Sequence, residues 1–168
     1  HPERVRGVAA GGLGGLPILP VSERDGEALS FPVGVADLEM ITGRALNAEA
    51  LRETPVLLYQ GGADENDSVR EPPFTSDAFR SDSYSCDQAQ WVNATLGAST
   101  LDRVPLVQDL YAGFGMRDFN SLVLPGVEHS TPPDMEARIR DFFACVLAGD
   151  AACAAGVSLS DDMTGQDE

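Results

Sequence analysis

The feature that most limits what this chain can fold into is the run Thr54-Pro-Val-Leu-Leu-Tyr-Gln60, stopped by Gly61-Gly62. A strand with one wet face alternates apolar and polar residues. A nearly unbroken apolar run of this length, closed by glycines, predicts a strand covered on both faces, as in parallel sheets. Parallel strands cannot be joined by a tight turn and need crossover connections, usually helical.

The rest of the chain supplies both parts. Val5 to Ala10 (VRGVAA) reads as a second buried strand that turns at AGGLGG, and Phe119 to Leu124 (FNSLVL) as a third, ended by Pro125-Gly126. A helical stretch is expected around Asn47 to Arg52. Cys86 to Leu96 and Leu101 to Phe114 carry apolar residues at three- and four-residue steps, the spacing of one helix face. Thr131-Pro-Pro-Asp-Met-Glu opens a last helix, with a hydroxyl cap, early prolines and acids close behind. Met135, Ile139, Phe142, Phe143, Val146 and Leu147 form its apolar face. The alternation of strand, helix, strand, helices, strand and helix predicts an α/β fold, with parallel strands and helical crossovers.

At 168 residues and 43% hydrophobic composition the chain can bury a core of ordinary size. Residues 1–150 are expected to be one α/β part. Within it, 11–53, with several glycines and prolines, reads as a loop or cap-like segment before the central strand. Residues 151–168 read as a flexible acidic tail, because AAGVSLSDDMTGQDE offers little to bury. A polar loop from Ala63 to about Asp82 is long enough to be expected to be functional or mobile.

The net charge is −16, from 27 acids against 11 bases, and every base is an arginine. Such a surface repels polyanions, which argues against nucleic acid and anionic membrane as partners. No apolar run approaches the roughly 20 residues of a membrane-spanning helix. A dense acidic coat without lysine fits a protein adapted to high salt; a GC-rich genome that encodes arginine in place of lysine gives the same deficit. The opening HPERVRG has neither a methionine nor an apolar core segment, so it is no signal peptide and reads as the middle of a protein. Cys86, Cys145 and Cys153 match no zinc set and no CxxC pair. Cys145 and Cys153 either close a small loop, as an exported protein would allow, or remain a buried thiol and a tail thiol. The compartment and the oligomeric state stay open.

In open parallel sheets, functional groups gather beyond the carboxyl ends of the strands. The first strand ends in GGLGG, with no titratable group. The second ends in Gly61-Gly62-Ala63-Asp64-Glu65-Asn66-Asp67 and the third in Pro125-Gly126-Val127-Glu128-His129-Ser130. A carboxylate bonded to one imidazole nitrogen fixes the tautomer and leaves the other nitrogen to take a proton from a serine. Histidine suits that role because its ordinary pKa lies near neutrality. The chain has two histidines, and His1 sits at its edge, so His129 is the candidate base. Asp64 is the candidate acid. Asp67, on the same turn, is the alternative, since Asn66-Asp67 equally fits turn or cap chemistry. Glu65 and Glu128 read as solvated loop acids. GGLGG lacks the ending of a phosphate loop and DENDSV lacks the glycine of a calcium loop, so no metal or cofactor is implied. GGLGG is better read as a close turn packed near the site. Trp91 and the pair Phe142-Phe143 read as core or helix-packing residues.

These segments, in this order, resemble the C-terminal half of the α/β-hydrolase fold, whose triads run Ser, Asp/Glu, His along the chain. PVLLYQGGADENDSV resembles the strand and acid turn of that family, which carries the acid role to Asp64. LVLPGVEHS resembles its closing strand and histidine loop, which carries the base role to His129. HPERVRGVAAGG resembles the end of the helix after the nucleophile and the following strand, and FPVGVADLEMITGR the segment before the acid strand in some bacterial members. The likeness covers roughly residues 1–148. It implies a serine hydrolase acting on a small-molecule ester or acyl substrate, less readily on an amide or peptide. No Gly-x-Ser-x-Gly occurs in the chain. The serine and both oxyanion-hole donors are then expected upstream, and this segment alone is expected to be inactive. The alternative is a binding or scaffold protein that keeps the hydrolase fold without catalysis.

Overall fold

A computed structural model describes residues 4–69, 73–75 and 83–159. In chain order its elements are β1 (Val8–Gly11), β2 (Glu23–Arg24), β3 (Glu27–Ala28), α1 (Leu38–Thr42), α2 (Ala48–Glu53), β4 (Val56–Gly61), α3 (Cys86–Leu96), α4 (Thr100–Phe114), β5 (Phe119–Leu124) and α5 (Pro133–Ala148). β1, β4 and β5 form a three-stranded parallel sheet in the order β1-β4-β5, joined by helical connections. The protein is therefore a mixed α/β structure. The apolar run that predicted a doubly covered strand is the middle one: every residue of β4 is buried, whereas β1 and most of β5 are only partly so. Among the described residues, no helix is long and apolar enough to cross a membrane.

The chain divides into two compact units. The first comprises His1–Gly12, Glu49–Glu65 and Gly115–Glu168, and holds the sheet and α5. Its core joins Leu57 and Tyr59 of β4 and Leu124 of β5 to Met135, Phe142 and Val146 of α5, with Cys153 and Ala154. Ile139 packs at its margin. Each large side chain buried here contributes about 1.5–3 kcal/mol. The apolar face expected of α5 is thus narrower than its sequence: Phe143 and Leu147 are exposed. The helix ends at Gly149, whose left-handed backbone (φ 79°) returns its N–H to the carbonyls of Cys145 and Val146.

Two expectations change in this unit. The hydroxyl cap of α5 is absent. Pro132 occupies the cap position without a side-chain bond, and the Thr131 hydroxyl pairs with Tyr59 Oη at 2.9 Å instead. The supposed flexible tail from residue 151 is docked as far as Leu159. Cys145 and Cys153 are joined by a disulfide. The buried Asp118 carboxylate accepts the N–H groups of Ala154 and Ala155 at 2.9 Å. Asn120 Nδ2 donates to the carbonyls of Ala154 and Val157. Cys153 and Ala154 are small enough to enter the core, so a segment with little apolar bulk is still held. The rest of that tail, 160–168, lies outside the described residues, as do 70–72 and 76–82 of the expected loop.

The second unit comprises Leu13–Ala48 and Asn66–Phe114. Most of the expected cap-like segment belongs to it, together with α3 and α4, which pack on each other. α3 starts with a capping box: Ser85 Oγ accepts from Gln88 N–H, and Gln88 Oε1 accepts from Ser85 N–H. Arg103 of α4 is 1% exposed and Asp67 4%, and the guanidinium meets both carboxylate oxygens through Nη1 at 2.9 and 3.0 Å. Arg103 Nη1 also donates to Gly15 O, and Nε to Gly97 O. Tyr111 Oη donates to Ile18 O at 2.7 Å, and burial pushes the phenol up to about 12. Trp91, expected as a core or helix-packing residue, lies on α3 and is half-buried.

Candidate active site

β4 and β5 run parallel in a register that sets Gly61 opposite Leu124, so their carboxyl ends lie side by side. The two turns that leave these ends are stitched together by backbone. Gly62 N–H donates to Leu124 O at 2.7 Å and Ala63 N–H to Val127 O at 2.9 Å. Gly61 makes this approach feasible: a Cβ there would stand 2.3 Å from Val127 O and 2.4 Å from Glu128 O. A side chain at 61 would force the acid turn and the histidine turn apart.

The result is one close pair. His129 Nδ1 lies 2.9 Å from Asp64 Oδ2. The Asp64 side chain is 1% exposed and the His129 side chain 54%. The same Oδ2 accepts a hydrogen bond from Gln60 Nε2 at 2.8 Å, and Gln60 is itself buried at 1%. With Asp64 as a carboxylate, which can only accept, the contact requires the ring proton on Nδ1 and leaves Nε2 as the nitrogen that can exchange one with a reacting group. The buried carboxylate thus meets both the imidazole and the Gln60 amide, and the imidazole is half-exposed. Such an arrangement orients an imidazole and stabilises the imidazolium formed when it takes up a proton.

Two further contacts hold the histidine turn. Gly12, just past β1, has φ +62°, and a Cβ on it would stand 2.8 Å from His129 Cε1. The imidazole thus lies against the bare backbone of Gly12. Tyr59 Oη anchors Thr131, two residues beyond His129, and its ring lies where a Cβ on Gly11 would come within 2.0 Å. Successive glycines on β1 and its turn thereby make room for the tyrosine and for the histidine.

The candidate acid Asp64 and the candidate base His129 are therefore brought together. The alternative acid, Asp67, bonds Arg103 and the Val69 N–H instead. Gln60 and Gly12 were missed at the level of sequence. The signal for Gln60 was its position: it is the polar residue that closes an apolar strand, four residues before the acid. Glu65 and Glu128 are exposed. Among the described residues no group of three or more His, Cys, Asp or Glu side chains could hold a metal ion.

No family model, no curated protein and no solved structure matches the chain.

Proposed function

We propose that Asp64 and His129 are the acid and base of a Ser-His-Asp triad, and that this chain is the C-terminal half of an α/β-hydrolase that cleaves a carboxylic ester. The observation that carries this reading is the 2.9 Å contact between a buried Asp64 and the Nδ1 of a half-exposed His129, at the ends of neighbouring parallel strands. The chain order of acid before base, and the strand order β1-β4-β5 with the acid after the middle strand, support the same fold.

In this mechanism the serine comes from the polypeptide that precedes residue 1. His129 Nε2 takes the serine Oγ proton as the oxygen attacks the ester carbonyl, and the negative charge passes to the carbonyl oxygen. Collapse of the tetrahedral intermediate breaks the bond to the alkoxide, which His129 reprotonates as it leaves. Water, deprotonated by the same nitrogen, then releases the acid and regenerates the serine. Asp64 holds the ring in place and offsets the imidazolium charge in both halves; Gln60 holds Asp64. No metal or organic cofactor enters these steps.

The test uses a polypeptide extended upstream to include the nucleophile elbow, assayed on a short-chain p-nitrophenyl ester. His129→Ala is expected to remove nearly all turnover while the circular dichroism spectrum stays the same. Turnover equal to that of the parent would overturn the assignment.

A further inference from the structure

The second unit carries a groove of about 550 Å³ that the triad does not use. That size is typical of small-molecule sites, roughly 300–1,000 Å³. Leu29 and Val33, both buried, are part of its apolar lining. Phe31, 47% exposed, and the half-buried Trp91 supply aromatic surface. Glu27, Asp37 and Asp87 also line it, and among the described residues no arginine or histidine does.

The exposure of Phe31 is supported from both sides of its backbone. Its N–H donates to Asp37 Oδ1 at 2.7 Å, and its carbonyl accepts from Gln88 Nε2 at 3.0 Å. Gln88 is fixed in turn by the capping box that starts α3. An aromatic side chain held open to solvent on a fixed backbone, beside carboxylates, is prepared for a ligand that has apolar surface and positive charge. The ring faces carry negative potential, so they and the carboxylates attract the same occupant. An anion would be repelled. A neutral apolar molecule would desolvate the carboxylates without compensating them. A bare metal ion is disfavoured because, among the described residues, no three His, Cys, Asp or Glu side chains converge closely enough to hold one.

We propose that this groove binds a small organic cation with an alkylammonium or alkylguanidinium head. Its alkyl body rests on the apolar and aromatic lining, and its charge is balanced by Glu27, Asp37 and Asp87. The site is independent of the triad reading, since every residue it uses belongs to the second unit.

Trp91 is the single tryptophan of the chain, so its fluorescence reports on the groove directly. The 168-residue chain is titrated with choline, with ethylguanidinium, and with 3,3-dimethylbutan-1-ol, the neutral isostere of choline. A saturable change in Trp91 emission is expected with a cation, and the two cations tell the ammonium source from the guanidinium source. The neutral isostere should bind about tenfold more weakly than choline if the ammonium is preferred. Glu27→Gln/Asp87→Asn, at two exposed positions, should weaken the preferred cation about fivefold. Asp134→Asn/Glu136→Gln removes the same charge from α5 and should leave binding unchanged. Phe31→Leu, which keeps every carboxylate, should weaken it about threefold. The proposal is overturned if neither cation gives a saturable response. It is also overturned if choline is the preferred cation and the isostere binds as well, if the α5 variant weakens binding as much as the groove variant, or if Phe31→Leu binds normally.

Discussion

Asp64 and Asp67 stand three residues apart on one turn, and both side chains are almost wholly buried, at 1% and 4% exposure. Their partners differ. Asp67 faces Arg103, a permanent cation 1% exposed and held further by the carbonyls of Gly15 and Gly97. Both members of that pair are enclosed, so it serves to hold structure. Asp64 faces a histidine that is 54% exposed. What separates the two pairs is therefore the partner, an enclosed guanidinium in one and a half-exposed imidazole in the other, and not the acid or its burial.

The largest effect that tests this contrast is on rate. In the extended polypeptide, Asp64→Asn should lower ester turnover by about 10⁴-fold, the order seen when a triad acid is made an amide. Its urea midpoint should move far less than that of the Asp67 variant. Asp67→Ala should do the reverse. It strands a buried guanidinium and should cost about 3–5 kcal/mol in urea unfolding, while the folded fraction keeps its turnover. If both variants lose activity and stability in the same proportion, the two pairs are not distinct.

Gly12→Ala sharpens the chemical side. A methyl group there would stand 2.8 Å from the imidazole, on a backbone with φ +62°. The ring must shift, and a displacement on the order of 1 Å costs about 10²-fold in turnover. An alanine enzyme as fast as the parent would show that His129 does not rest on Gly12. The smallest effect belongs to the structural side. Tyr111 has a folded pKa raised by burial from 10.0 to about 12, so its stabilising contribution is complete below pH 10 and is lost as pH rises toward 12. Tyr111→Phe should cost about 1 kcal/mol at neutral pH and remove part of the alkaline loss of stability between those values. An unchanged alkaline profile would remove Tyr111 from that account.

The parts legible in the sequence were those with a local cause. The three strands of the sheet followed from apolar runs closed by glycine or proline, because a doubly covered strand has no polar face to show. The pairing of Asp64 with His129 followed from their place after two of those strands. What was not legible depended on partners far along the chain. Nothing at Asp67 announces Arg103, 36 residues on, and a charged residue within an amphipathic helix reads as solvated when it is in fact buried. The hydroxyl of Thr131 looked like a helix cap because its other partner, Tyr59, is 72 residues away. The β2–β3 hairpin had a readable signal, Asp25-Gly26 with both residues at positive φ. Its two-residue strands were too short to show alternation. The docking of 151–159 escaped notice because it rests on Asp118, Asn120 and a disulfide rather than on apolar bulk.

The central claim is that Asp64 holds the proton of His129 on Nδ1 and leaves Nε2 to react. A long-range ¹H–¹⁵N spectrum of the histidine side chains, recorded on this chain at a pH where His129 is neutral, reads the tautomer directly. Only His1 and His129 contribute signals. The account predicts that His129 is the Nδ1–H tautomer in the parent chain and loses that preference in Asp64→Asn. A neutral His129 that carries its proton on Nε2 in the parent chain would contradict it.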